Sequence, residues 1–164
     1  MNINIIQADY AQQQHARDIV RLLDDYARDP MGGGTPLAQE TRRRVVERLA
    51  QLPHAFTLLA YHEQKAVAMA NCFEAFSTFS AQPLINIHDF MVAAAYRGRG
   101  ISQLLLQHVE QVAKGKGCCK ITLEVLTGNA PARSAYTRFG FSAYRMNSGT
   151  GIAEFWQKPL TQVG

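Results

Sequence analysis

Apolar and polar positions recur along this chain in two periods, and the places where the period changes mark its elements. Ile3–Ala8 reads as a strand. Asp9 then caps a helix over about Ala11–Ala27, where Ile19, Leu22, Leu23 and Tyr26 fall at helical spacing. Thr35 and Pro36 open a second helix whose stripe is Val45, Val46, Leu49 and Leu52, with Arg42, Arg43 and Arg44 on its solvated side. Three strands follow, Phe56–Tyr61, Ala66–Phe76 and Leu84–Val92, the first two joined by a polar turn at His62–Lys65. A helix over about Ile101–Lys114 buries Leu105, Val109, Val112 and Ala113 and ends at Gly115 and Gly117. Lys120–Leu126 alternates Ile121, Leu123 and Val125 as a buried strand. Asn129 caps a short helix that Gly140 stops, and two closing strands lie near Ser142–Met146 and Ile152–Lys158.

The order βααβββαβαββ describes a mixed α/β (α+β) sheet with helices on it. No repeat or low-complexity linker divides the chain, so residues 1–164 are expected to form one domain. One irregular stretch, Asp29–Pro36, contains three consecutive glycines between two helical patterns and reads as a functional loop.

Composition narrows the classes without choosing among them. Apolar residues make up 47% of the 164 and charged residues 18%, which suits a globular core. No apolar run is long enough to span a bilayer, and the first residues lack the form of a secretory leader, so a cytoplasmic protein with no membrane partner is expected. The three cysteines, Cys72, Cys118 and Cys119, form no C-x-x-C pair, so neither a disulfide framework nor a metal site is expected. Cys118 and Cys119 read as small buried apolar residues. A net charge of +4 suits a polyanionic small ligand and is too scattered for nucleic acid.

The strongest local signal lies between the strand Leu84–Val92 and the helix from Ile101. Glycines in Arg97-Gly98-Arg99-Gly100-Ile101-Ser102 let successive backbone N–H groups point into one cavity at a helix N-terminus, a place suited to a pyrophosphate. No G-K-[S/T] follows, and the third glycine and acidic ribose reader of a dinucleotide fingerprint are missing. A plain tight turn with surface arginines is the alternative reading of these six residues.

Arg97-x-x-Gly100-x-Ser102 resembles the coenzyme-A loop, Q/R-x-x-G-x-G/A, of the GNAT (GCN5-related) N-acetyltransferases, with Ser102 departing from the usual last residue. Asn129-Ala130-Pro131-Ala132-Arg133-Ser134-Ala135-Tyr136 and Phe139-Gly140-Phe141 are similar to the family's second signature, N-x-x-A-x-x-x-Y with an aromatic-Gly-Phe turn. Phe155–Leu160 resembles the family's last strand. The resemblance is firm over about residues 84–160 and looser before. It implies a GNAT-type, mostly antiparallel sheet of about seven strands with four helices and splayed central strands. It also implies acetyl-coenzyme A as co-substrate, with no metal. Phe90, Met91 and Val92 would then offer backbone to the pantetheine arm, and the amides from Arg97 through Gly98, Arg99, Gly100 and Ile101 to Ser102 would hold the pyrophosphate. Asn129 and Ala132 would also lie on the cofactor, although Asn129 reads equally as a helix cap. Dimers are common in the family, so the resemblance implies a homodimer.

Acetyl transfer to an amine needs a neutral nucleophile, stabilisation of the oxyanion and a proton for the departing thiolate. The resemblance gives the last role to Tyr136; a core aromatic paired with Phe139 is the alternative. The base stays open. Ile87-His88-Asp89-Phe90-Met91-Val92 is similar to the matching strand of diamine (spermidine/spermine) acetyltransferases, where a glutamate stands at the position of His88. Histidine there either keeps the base role near neutral pH or ends it. Strict alternation puts His88 and Asp89 on opposite faces. Asp89 would hold a cationic acceptor or orient its neighbours, and Glu74 is a further candidate. The segment joining the first two helices lines the acceptor site in the family, which brings in Asp24, Asp25, Asp29 and Met31 for a small amine of polyamine or amino-acid type. A protein N-terminus or lysine as acceptor, and a non-catalytic acyl-coenzyme-A sensor, are the competing readings.

Overall fold

The computed structural model describes residues 1–147, 149 and 151–160. Its elements run β1 Ile3–Gln7, α1 Gln13–Arg28, a 3₁₀ turn Pro30–Gly32, α2 Gln39–Ala50, β2 Ala55–His62, β3 Lys65–Ser77, β4 Gln82–Val92, α3 Ile101–Gly115, β5 Ile121–Leu123 and α4 Ala130–Phe139. The strands form one sheet in the order β1-β2-β3-β4-β5. The first four are antiparallel, and β5 joins β4 in parallel. The α1–α2 pair covers one face over Leu59, Met69 and Met91. The α3–α4 pair covers the other over Leu58, Ala70, Ile85 and Ile87. Ile19 and Leu22 of α1 and Leu105 and Val109 of α3 are fully buried, and removing such side chains from water stabilises by roughly 1.5–3 kcal/mol each.

Element types agree with the hydrophobic pattern from β1 to α4, and the departures have local causes. The second helix begins at Gln39 and not at Pro36. Asp24 of α1 accepts the Leu37 N–H at 2.8 Å and Ala27 the Thr35 N–H at 3.1 Å, which holds this stretch extended against α1. Cys119 is exposed and Cys118 half-buried, because β5 starts only at Ile121 and both lie in the turn before it.

The mixed α/β class holds, but five strands are present among the described residues where about seven were expected. Pairing of β5 with β4 covers only Ile85–Ile121, Asn86–Thr122 and Ile87–Leu123, so the expected strand to Leu126 stops at Leu123. That leaves too short an edge for the expected strands 142–146 and 152–158. One bond, Ala153 N–H to the Tyr144 carbonyl at 3.1 Å, joins them. Phe155 and Trp156 are 75% and 83% exposed.

A cleft where the central strands part

Two features open a cleft at the C-terminal end of β4. The first is the early end of β5: beyond Ile87, the edge of β4 that faced it has no strand neighbour among the described residues. The second is a bulge. Asn71 of β3 pairs with Asp89, but the next residue, Cys72, pairs with Ile87, so His88 is an extra residue in β4. A bulge resets side-chain alternation. Ile85 and Ile87 pack toward α3, as do Phe90 and Val92, while Met91 packs toward α1. Asp89 shares the face of Met91.

The expectation that His88 and Asp89 point to opposite faces is therefore corrected. The His88 ring meets Phe73 edge to face at 5.6 Å, and Phe73 shares the face of Asn71, which hydrogen-bonds Asp89. Both side chains lie on the α1 side; His88 is exposed at the bulge and Asp89 is half-buried.

Beyond β4 the chain makes a short 3₁₀ turn, Ala94–Tyr96, and enters the glycine loop. Gly98 and Gly100 adopt φ of 74° and 81°, a left-handed conformation that costs other residues free energy. These turns aim the amides ahead of α3 outward. Among the described residues, no backbone carbonyl takes the N–H of Gly98, Arg99, Gly100, Ile101 or Ser102, whereas Gln103 and Leu104 already donate to Gly100. Arg99 stacks over Tyr96 at 5.5 Å. Arg97 turns back: Nε donates to the Val92 carbonyl at 3.0 Å, and Nη2 to Asp29 Oδ2 at 2.7 Å.

Tyr136 closes the cleft from α4. It is buried, edge to face with Phe90 at 5.8 Å and with Phe141 at 5.9 Å. Burial, with a smaller contribution from Tyr26, pushes its phenol up to about 12, so it keeps its proton at neutral pH. Asn129 caps α4, its Oδ1 accepting the Ala132 N–H at 3.2 Å, and the cap reading of Asn129 holds.

The α1 side brings Tyr26, absent from the sequence-based candidates. Burial raises its phenol, and the negative charges of Asp89 and Asp29 add to that. Asp29 is held below the usual carboxylate range by the Met31 N–H and by Arg97, with burial opposing. Met31 is exposed on the 3₁₀ turn beside it. Thr57 and Asn71 were missed as well. Asn71 Nδ2 donates to Asp89 Oδ2 at 2.9 Å, and Thr57 Oγ1 to Asn71 Oδ1 at 2.6 Å. A lone asparagine in the apolar run Ala66–Cys72 was the available signal.

Three acceptor candidates are not brought into the cleft. Glu74 pairs with Lys116 at 3.0 Å, and its position on β3 places it on the α3 face. Asp25 is exposed on α1 and pairs with Arg21 at 3.6 Å. Asp24 serves the α1–α2 connection, through Leu37 and Arg28. Surface depressions of about 450 Å³ beside α1 and α2 and about 270 Å³ beside α3 are lined by neither Asp89 nor Tyr136. Among the described residues, no group of three or more His, Cys, Asp or Glu side chains could hold a metal ion, and no helix is long and apolar enough to cross a membrane.

A sequence model described as the acetyltransferase (GNAT) family matches residues 19–141. Streptothricin acetyltransferase of Streptomyces lavendulae is 37% identical over 76 residues, which are 46% of this chain and 40% of that protein. The match thus spans less than half of that relative's length. An aminoglycoside N(6')-acetyltransferase type 1 of Acinetobacter genomosp. 13 is 28% identical over 110 residues, covering 65% of this chain and 75% of that one. The structure of AAC(6')-Iy in complex with a bisubstrate analog, CoA-S-monomethyl-acetylneamine, superposes with a TM-score of 0.74 at 16% identity, covering 98% of this chain and 100% of that chain. At that identity the likeness is one of fold.

Proposed function

The chain belongs to the acetyltransferase (GNAT) family, and from that premise we propose that it moves an acetyl group from acetyl-coenzyme A to the primary amine of a small molecule. The observation that supports this most directly is the coincidence of two unsatisfied backbone surfaces. Among the described residues, one edge of β4 has no strand partner after Ile87, and the five successive amides of residues 98–102 donate to no backbone carbonyl. An extended pantetheine arm fits the first as an added strand, and a pyrophosphate fits the second. Phe90, Met91 and Val92 would line the arm, Arg97 to Ser102 the phosphates, and Asn129 with Ala132 the far side. Bound there, acetyl-coenzyme A supplies an activated acetyl thioester.

The protein's own residues divide the remaining work. Asp89 receives the acceptor's ammonium and draws its proton away, directly or through water, which leaves the nitrogen lone pair free for attack. An alkyl ammonium has a pKa of roughly 10, so this step cannot be left to bulk water near neutrality. The Tyr136 phenol, protonated at neutral pH, gives its proton to the departing sulfur. His88, exposed at the bulge mouth, shuttles the proton from Asp89 to solvent. Asp29 and Met31 form the acceptor-side rim. The small polycationic acceptors named for the relatives favour an amine of polyamine or aminosugar character over a protein N-terminus. Homodimeric assembly, implied by the family resemblance, and a cytoplasmic location belong to the proposal; light scattering reads the first.

The test is turnover of acetyl-coenzyme A against a panel of small amines, with Tyr136→Phe beside the wild type. The variant should lose on the order of 100-fold in kcat while binding coenzyme A with unchanged affinity. Equal turnover would reject the acid role, and no transfer to any amine by the wild type would reject the activity.

A further inference from the structure

A buried polar row crosses the sheet face that α1 covers. Thr57 of β2 sits opposite Asn71 of β3, and Asn71 sits opposite Asp89 of β4, so register alone lines the three side chains across three strands. Tyr10, between β1 and α1, extends the row: its hydroxyl lies 3.0 Å from Thr57 Oγ1. The row on one side of it is hydrophobic, with Leu59, Met69 and Met91. Thr57 is 0% and Asn71 3% exposed. Polar groups so deeply buried cost stability unless every one is satisfied. A valine and a leucine would serve packing equally well.

The hydrogen atoms in this row can run in only one direction. Asn71 Oδ1 is purely an acceptor, so the Thr57 hydroxyl must spend its single hydrogen there, at 2.6 Å. Thr57 can then only accept from Tyr10, whose phenol burial holds protonated. With Oδ1 occupied, Asn71 turns Nδ2 to Asp89 Oδ2 at 2.9 Å. A flipped amide would set Asn71 Oδ1 against the Asp89 carboxylate, acceptor against acceptor.

We propose that Tyr10, Thr57 and Asn71 are positioning residues for acetyl transfer, a buried donor relay that fixes the Asp89 carboxylate at the bulge where the acceptor amine arrives. This rests on the function proposed above and adds the residues that make Asp89 fit for it. The other groups facing Asp89 do not supply that hold. On α1, Tyr26 feels the charges of Asp89 and Asp29, while Asp29 is engaged by Arg97. On β3, the Cys72 thiol is raised by burial and by the Asp89 charge, so it stays neutral. On β4, His88 turns to Phe73.

The test uses Thr57→Val, which keeps the volume and removes the donor, against Thr57→Ser, which keeps the donor. In the amine kcat/KM, Thr57→Val should lose about five- to tenfold, Asn71→Leu more, and Thr57→Ser about twofold at most. Acetyl-coenzyme A KM should not move. In an Asp89→Asn background, Thr57→Val should add nothing, since the relay acts only through that carboxylate. The second readout needs no turnover: in crystal structures the Asp89 carboxylate should leave its single position in Thr57→Val and keep it in Thr57→Ser. A further loss in the Asp89→Asn background, equal losses in the serine and valine variants, or an Asp89 carboxylate unmoved in Thr57→Val would each overturn the relay. If the wild type acetylates no amine, the proposed activity falls, while the position of the Asp89 carboxylate in the variant structures still decides the relay.

Discussion

The two walls of the cleft are made of different material. The wall toward α3 is backbone: the unpaired edge of β4 and the amides of residues 98–102, exposed by two left-handed glycines. The wall toward α1 is side chain: Asp89 with its row behind it, Tyr26, and Asp29 at the end of α1. Backbone suits a ligand that is always the same, because main-chain amides depend little on which residues carry them. Side chains suit a ligand that varies, because each can be exchanged without disturbing the fold. On this reading the α3 wall serves the constant co-substrate and the α1 wall sets the acceptor.

The division predicts how each wall breaks. Asp89→Asn keeps the shape and the Asn71 contact but removes the charge. It should lower kcat/KM for the amine by on the order of 100- to 1000-fold and leave the coenzyme-A Kd alone, a pair of values that steady-state kinetics and calorimetry can check. An effect shared equally by both ligands would erase the distinction between the walls. Gly100→Val should do the reverse. A Cβ there meets nothing within 4 Å, so crowding within the protein is absent. The cost comes from forcing a β-branched residue to φ 81°, about 1–3 kcal/mol, and from placing a side chain where phosphate would lie. Coenzyme-A Kd should rise about tenfold or more, with amine KM little changed at saturating co-substrate.

The same division explains what the sequence revealed. The α3 wall was legible because a backbone site needs particular residues close together in the chain: Gly98 and Gly100 before a helix, and Asn129 before another, are local requirements with local signatures. The α1 wall was not, since residues 57, 71 and 89 meet only through the register of three strands, and Tyr10 reaches them from the connection before α1. The bulge compounded this. Period-two alternation separates His88 from Asp89, and nothing in Ile87-His88-Asp89-Phe90 marks His88 as the extra residue. Tyr26 was visible as part of a helical stripe, yet the stripe gives no hint that its phenol feels the charges of Asp89 and Asp29. The alternating residues after β5 read as strands because alternation states only a capacity to pair; the partner edge ends at Leu123.

Gly32 tests the α1 wall at its margin. Here the glycine is needed for close approach: a Cβ would fall 1.9 Å from the Tyr26 carbonyl oxygen, inside contact distance. Gly32→Ala should therefore push the 3₁₀ turn off the end of α1 and carry Asp29 and Met31 with it. Stability should fall by about 1–3 kcal/mol, as for other overpacked contacts. Amine KM should rise several-fold while coenzyme-A affinity stays within error. An unchanged amine KM would remove Asp29 and Met31 from the acceptor rim.

The smallest effect is expected where the walls touch. Arg97 leaves the loop to pair with Asp29 at 2.7 Å, the tie between the two sides, but its side chain is 53% exposed. Solvent screens such a pair, so Arg97→Gln should cost less than about 1 kcal/mol at neutral pH. The sign with pH follows from Asp29. Its carboxyl titrates below the ordinary value near 3.9, first because of the Met31 N–H and then because of Arg97, so the pair's contribution is complete above that value and fades as pH falls through the lowered one. Denaturant unfolding at pH 7 should separate wild type from variant slightly, and at pH 2–3 the difference should shrink toward zero. A difference that persists in acid would mean Arg97 stabilises the loop through the Val92 carbonyl at 3.0 Å, an interaction with no titrating partner. The walls would then be independent, and losses on one side would leave the other untouched.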